Sequence, residues 1–167
     1  MAALNDTLTP ERVREILHYA PDTGVFTWLV SARSQRAGDK AGCVGPGGYI
    51  FIKYRRRLYR AHRLACLYMN GRWPADHTDH INGDKQDNRW SNLREATCSQ
   101  NLANRGPQKN NTSGFKGVQP HNGKWRARVW CGGRVFDAGS GFETPEEAHV
   151  AYMATAKQLH GEFARGV

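Results

Sequence analysis

Asp79-His80, Asn92 and Asn101 are the residues of this chain whose types and spacing point to phosphodiester hydrolysis. One-step cleavage of such a bond needs a base to activate water, a divalent cation to neutralise the phosphate, and a frame that holds both. His80 suits the base, because an unperturbed imidazole titrates at about 6.5 and can take a proton near neutrality. Asp79 offers a hard carboxylate oxygen to a magnesium ion, and Asn101 an amide oxygen from the opposite wall. Asn92 is placed to hydrogen-bond His80 and fix its tautomer. Asp84, Asp87 and Asn88 lie in turn-forming sequence and are read as turn formers rather than ligands. His62, at the start of a basic helix, is read as a packing residue although it could touch phosphate, and His77 as a surface residue. Successive residues of a regular strand face opposite sides, so Asp79 and His80 can serve one phosphate only where the strand bends or ends.

The elements that must position these groups can be read along the chain. Asp79 to Ile81 predicts a short strand, Asn82-Gly83-Asp84 a turn, and Asn92 to Ala96 a second strand. Thr97 with Gln100 three residues on has capping-box form and starts a helix that carries Asn101. Upstream, Thr9-Pro10 opens a helix expected to run from Thr9 to Tyr19, and Pro21 to Gly24 is a turn before a strand from Val25 to Val30. A glycine-rich stretch from Gly42 to Gly48 leads into a hairpin, Tyr49 to Tyr54 and Leu58 to Arg60, with Arg55, Arg56 and Arg57 at its basic tip. Ala61 to Asn70 follows as a helix with Leu64, Leu67 and Tyr68 on one stripe, stopped by Gly71.

Charge placement agrees with a polyanionic partner. The 24 lysines and arginines against 15 acids give +9, and the isoelectric point is near 9.7. Eight cations lie between Lys40 and Ala75 and seven between Ala96 and Phe136, with no acid in either stretch. Asp76, Asp79, Asp84, Asp87 and Glu95 fall between them, as expected of a cation site flanked by two phosphate-gripping surfaces. Mean hydropathy is -0.71, with 39% apolar residues and five tryptophans, enough for small cores and against disorder throughout. Cys43, Cys66, Cys98 and Cys131 form no close pair, so no structural zinc is expected. The absence of a signal pattern and of a long apolar run predicts a soluble, intracellular protein with reduced thiols.

Arg105 to Gly114 is polar and aperiodic, which makes it the linker. Beyond it, Phe115 to Gln119, Lys124 to Cys131 and Arg134 to Ala138 read as three strands joined by Asn-Gly and Gly-Gly turns. Thr144-Pro145 opens a last helix with Ala148, Ala151, Tyr152, Thr155, Ala156 and Leu159 on one stripe. In the middle strand Arg126, Arg128 and Trp130 share one face, and Trp125, Ala127 and Val129 the other. The apolar face should pack on the helix and leave the arginine face to DNA, with the acids of this region on the helix side.

Asp79-His80-Ile81-Asn82-Gly83-Asp84, Asp87-Asn88-Arg89, Ser91-Asn92-Leu93-Arg94 and Ser99-Gln100-Asn101 together resemble the motif of HNH endonucleases from phages and mobile introns, over roughly Ala61 to Arg105. The resemblance implies a ββα-metal fold with His80 as general base, Asp79 and Asn101 as ligands of one divalent cation, Mg²⁺ with Mn²⁺ as the alternative, and Asn92 as the residue that positions the histidine. Asn101 stands where many members carry histidine. Gly114-Phe115-Lys116-Gly117-Val118, Lys124-Trp125-Arg126-Ala127-Arg128 and Phe142 through Tyr152 with Gly161 resemble the Apetala-two, or ethylene-response-factor, DNA-binding domain over Asn111 to Ala164. That resemblance implies a DNA-facing set of Lys116, Gln119, His121, Arg126, Arg128, Trp130, Arg134 and Phe136. Residues 138–142 run one residue longer than the family's turn.

The expected fold class is therefore α+β. A ββα-metal core at about 78–105 lies within a nuclease domain of residues 1–105 that has an N-terminal strand and helix elaboration. A linker of 106–113 leads to a sheet-and-helix DNA-binding domain of 114–167. The expected function is metal-dependent cleavage of duplex DNA by a phage or mobile-element enzyme of the nicking or homing type, working in the host cytoplasm without an obligatory protein partner. The alternatives are a DNA-binding regulator with a vestigial HNH scaffold, and a nuclease directed at RNA.

Overall fold

Thr9 accepts a hydrogen bond from the Arg12 amide (3.2 Å), and Pro10 opens helix α1, Pro10–Ile16. This is a computed structural model, and it describes residues 8–32 and 35–166. The chain divides into two compact units, Met1–Glu95 and Ala96–Val167. Helix α1 stops three residues earlier than its sequence predicts, because the chain switches directly to strand β1, Leu17–Ala20. The turn after Ala20 closes an antiparallel hairpin with β2, Val25–Trp28, in the register Leu17↔Trp28. Leu17 and Tyr19 are buried and His18 between them is exposed, the two-residue period of a strand. Helix propensity loses there to a pairing that the turn makes local.

Three further strands form an antiparallel sheet in the order β3-β4-β5: β3, Cys43–Val44, β4, Ile50–Tyr54, and β5, Arg57–Arg60. The hairpin tip is built by Arg55 and Arg56 at φ of 45° and 65°, a left-handed turn that keeps both side chains exposed. Helix α2 covers Ala61–Asn70 as the sequence predicts and ends on Gly71 in the left-handed conformation. The Arg14 guanidinium donates to the Tyr68 carbonyl and so satisfies one of the helix's last acceptors. Val13, Ile16, Leu17, Tyr19, Phe26, Ile52, Leu64 and Leu67 make up the dry centre of this unit. Strand β6, His77–His80, pairs with β7, Leu93–Ala96, which follows a short 3-10 turn at Trp90–Asn92.

In the second unit α3, Cys98–Ala103, starts on a complete capping box of Thr97 and Gln100. Ala96, Ala103 and Phe163 bury one another nearby. Strands β8, Val118–His121, β9, Lys124–Cys131, and β10, Arg134–Phe142, form an antiparallel sheet in the order β10-β9-β8. Both connecting turns have two consecutive positive φ angles, at Asn122-Gly123 and at Gly132-Gly133. Val118, Ala127 and Val129 pack against Ala148, Tyr152 and Ala156 of α4, Pro145–His160. The sheet-on-helix expectation holds, and the fold as a whole is α+β.

In this unit strands β8 and β10 depart from expectation. Strand β8 begins at Val118, because Gly117 (φ 71°) carries the chain so close to the Arg128 carbonyl and the Tyr152 ring that a Cβ there would lie 2.4 Å from both. Strand β10 runs on to Phe142 by absorbing the extra length of residues 138–142 in two register shifts, between Asp137 and Gly139 and between Ser140 and Phe142. Among the described residues no helix is long and apolar enough to cross a membrane.

Candidate active site

His80 ends β6 and is 4% exposed. Its Nε2 donates to the Asn88 side-chain oxygen (3.2 Å), which leaves Nδ1 as the ring's basic nitrogen. The His62 ring packs edge-on against it, with centroids 4.9 Å apart and planes at 78°, and the Tyr49 ring lies 6.0 Å away. Burial pushes the His80 imidazole below the usual histidine value, opposed by the Asn88 hydrogen bond and by the carboxylates of Asp79, Asp84 and Asp87. The ring is therefore held in its neutral form near pH 7.

Asn88, read from sequence as a turn former, is thus the residue that meets His80. Its backbone carbonyl accepts from the buried Tyr19 hydroxyl (2.7 Å), and its side-chain nitrogen donates to the Gln86 carbonyl (3.2 Å). The β1–β2 turn comes so close that a Cβ on Gly24 (φ 71°) would stand 2.3 Å from the Asn88 carbonyl carbon. The N-terminal hairpin is what fixes the loop opposite the histidine.

The Asn92 side chain spends its hydrogen bonds on the loop and not on the His80 ring, where the sequence expectation put them. Its oxygen accepts from the Asn82 amide (3.0 Å), and its nitrogen donates to the Asn82 side chain (3.0 Å) and the Asp87 carbonyl (2.8 Å). It cinches the base of the loop that carries Asn88. Asn82 and Arg89 both bond the Asp87 carboxylate, and Arg89 above all holds that group down at about 2.

Asp79 is also buried, and Arg94 on β7 donates Nε to its Oδ2 (3.0 Å) with Nη2 at 3.0 Å from the same atom. Neighbours on the strand therefore reach different partners, Asp79 toward Arg94 and His80 toward Asn88, Tyr49 and His62. Asn101 lies in α3 of the second unit, its amide bonded to the Thr97 carbonyl (2.9 Å). A carboxylate and an amide oxygen are hard donors that suit Mg²⁺, which keeps several of its own waters and asks for few protein ligands. His62 is 3% exposed and its Nδ1 has no partner among the described residues, so the packing assignment holds at the cost of a buried unsatisfied nitrogen. His77 is half exposed beside Asp76.

In the second unit the open face of the sheet carries part of the expected DNA-facing set. Gln119 pairs with Arg126 and His121 with Lys124 across β8 and β9, and cross-strand partners share a face. With its amide suitably oriented, the Gln119 oxygen accepts twice from the Arg126 guanidinium, at 2.7 and 2.9 Å. Trp130 on the same face is 69% exposed.

Three members of the set lie elsewhere. Arg134 and Phe136 stand opposite Cys131 and Val129, on the side of Ala127 that meets the helix, while Val135 and Asp137 oppose Trp130 and Arg128. The hairpin register sets this parity, and reading β10 in isolation assigns the wrong face. It also puts the Asp137 carboxylate on the arginine face, against the expectation that the acids lie on the helix side. Lys116 donates its ammonium to the Leu102 and Ala103 carbonyls at the end of α3. Burial first, and then Arg105 and Arg165, push that ammonium down to about 8. Arg55, Arg56 and Arg57 remain exposed at the hairpin of the first unit.

A family model described as HNH endonuclease matches residues 59–103. A protein of Acanthamoeba polyphaga mimivirus named "Uncharacterized HNH endonuclease L560" is 32% identical over 123 residues, which cover 72% of this chain and 63% of that protein. The chain thus spans less than two thirds of that relative's length. "Protein 3.8" of Escherichia phage T7 is 33% identical over 120 residues, covering 69% of this chain and 93% of the relative. A solved structure titled "DNA binding and cleavage by the HNH homing endonuclease I-HmuI" aligns at a TM-score of 0.40 with 23% identity, over 53% of this chain and 51% of that one.

Proposed function

We propose, from the match of residues 59–103 to an HNH endonuclease model, that this chain hydrolyses phosphodiester bonds of duplex DNA, with His80 as the general base. The observation that carries the reading is the His80 imidazole, neutral, oriented by Asn88 through Nε2 and basic at Nδ1. His80 takes a proton from water as the water oxygen bonds phosphorus, and the bond from phosphorus to the leaving sugar oxygen breaks. Asn88 and Tyr49 keep the ring from turning, and Asn92 with Asp87 keeps Asn88 in place. Asp79 would hold the divalent cation, with Asn101 as the second ligand that the HNH resemblance implies, and that ion, Mg²⁺ or Mn²⁺, when bound supplies neutralising charge to the phosphate. Arg94 orients the Asp79 carboxylate through its guanidinium.

A single base and a single ion suit cleavage of one strand at a time, in the manner of a phage or mobile-element nicking enzyme. Supercoiled plasmid incubated with the full chain and Mg²⁺ should become open circles, and chelator should stop the conversion. Plasmid left supercoiled in Mg²⁺ and in Mn²⁺ would instead support the second reading, a DNA-binding regulator on a vestigial scaffold. The burial of Asp79 and His80 is the observation that favours that alternative.

The Apetala-two-like module of 114–167 supplies grip through Arg126, Arg128, Trp130, Gln119 and His121, joined by the arginine tip of the first unit. Replacing Arg126 or Arg128 by alanine should each reduce the slope of log affinity against log salt by about one unit. Arg134→Ala, on the other side of the sheet, should leave that slope near its wild-type value. Equal losses for all three arginines would mean that the sheet does not lie on DNA by its open face.

A further inference from the structure

Two cations from separate parts of the first unit meet on one aromatic ring beside His80. The Arg60 guanidinium carbon and the Lys85 ammonium nitrogen each stand 4.9 Å from the Tyr49 ring centroid, and that ring lies 6.0 Å from the His80 ring. Arg60 is the last residue of β5, Lys85 belongs to the loop after β6, and Tyr49 follows the glycine turn. Both cations are exposed.

Several cations around them are already engaged by carboxylates. Arg94 is paired with Asp79, Arg89 with Asp87, and Arg72 with Glu95. Arg63 donates to the Asp76 carbonyl. Among the described residues neither Arg60 nor Lys85 has a carboxylate partner; Lys85 donates to the Gly47 carbonyl (2.8 Å), and the aromatic face is what holds Arg60. Asp84, next to Lys85, is turned onto its own loop, where it accepts from the Gln86 amide (2.9 Å). The left-handed backbone of Gly47 and Gly48 presents that carbonyl, and a Cβ on Gly48 would already touch the Lys85 side chain at 3.8 Å.

A cation over an aromatic face is attracted by the ring while its N–H groups stay available. A guanidinium fork and a mobile ammonium together match the oxygens of a phosphate. We propose that Arg60 and Lys85, seated on Tyr49, form a clamp for a phosphate of the DNA strand that enters beside His80. The clamp rests on the nuclease reading for its place next to the reacting bond.

The test uses the full chain with Arg60→Gln, Lys85→Gln and Tyr49→Leu, and with Arg60→Lys and Lys85→Arg as charge-preserving partners. Affinity for a short duplex is measured in chelator over a range of salt, and plasmid nicking is measured in Mg²⁺. Each glutamine variant should lower the salt slope by about one unit and kcat/KM by about tenfold, and the charge-preserving variants should recover most of both. Lys157→Gln, on helix α4, serves as the unaffected reference. Slopes and rates equal to wild type in Arg60→Gln and Lys85→Gln overturn the clamp. Loss that the charge-preserving variants do not recover, with a lowered melting temperature, overturns it too, because packing then explains the effect. If wild type binds duplex and never cuts it, the hydrolytic reading fails, and the salt slopes still decide whether the two cations hold phosphate.

Discussion

His80→Ala should nick supercoiled plasmid about 10²–10⁴ times more slowly than wild type, the usual worth of a positioned general base. Duplex affinity measured in chelator should stay unchanged, since the residue carries no net charge at neutral pH and contributes no phosphate grip. The size of the effect follows from how the ring is held. Asn88 bonds Nε2 and the adjacent rings of His62 and Tyr49 pack against the imidazole, so it reacts from one orientation and one tautomer. His80→Gln, closer in volume, separates loss of the base from loss of packing, and it should be as slow as the alanine variant. Asn88→Leu should reproduce part of the defect by freeing the ring while leaving the basic nitrogen in place. Wild-type nicking by both His80 variants would remove the histidine from the chemistry and move the base elsewhere.

The stability of the first unit should fall by about 2 kcal/mol between pH 7 and pH 5 on account of His62 alone. Burial pushes that imidazole down to about 3, and the neighbouring charges of His80, Arg60 and Arg63 push in the same direction. The folded state therefore binds fewer protons than the unfolded chain between about pH 6.5 and 3, so acid favours unfolding throughout that window. Tyr49 also packs against the His62 ring. His62→Leu removes the group and the orphaned Nδ1 together, and leaving a buried nitrogen unpaired costs about 1–3 kcal/mol. The leucine variant should therefore equal or exceed wild type at pH 7 and lose less stability on acidification. Denaturant titrations at several pH values give the difference directly. Parallel curves for the two proteins would show that His62 is not a buried neutral imidazole.

How much of this was legible beforehand depends on the range of the interaction. Helix α2, the capping box at Thr97 and Gln100, the two-glycine and Asn-Gly turns and the alternation along β9 are all local. Their causes are backbone stereochemistry and side-chain period, and residues within a few positions determine them. The same local reasoning overran at α1, where Leu17 to Tyr19 suits a helix but is captured by β2. It also failed for β10, because a strand's face is decided by its partner's register, and Arg134 and Phe136 were placed without that register.

The candidate site's residue types and their order along the chain were a property of the sequence alone: a histidine next to an aspartate, turn-forming residues after it, and two asparagines further on. Which asparagine meets His80 was settled only by folding. Asn92 bonds across the foot of a loop, and the hairpin from the other end of the unit pushes Asn88 onto the ring, through Tyr19 and the bare Cα of Gly24. The convergence of Arg60 and Lys85 on Tyr49 is of the same kind. Composition counts charges, but a charge becomes a binding group only when the fold gives it a neighbour and withholds a counterion, and both follow from contacts between residues far apart in the chain.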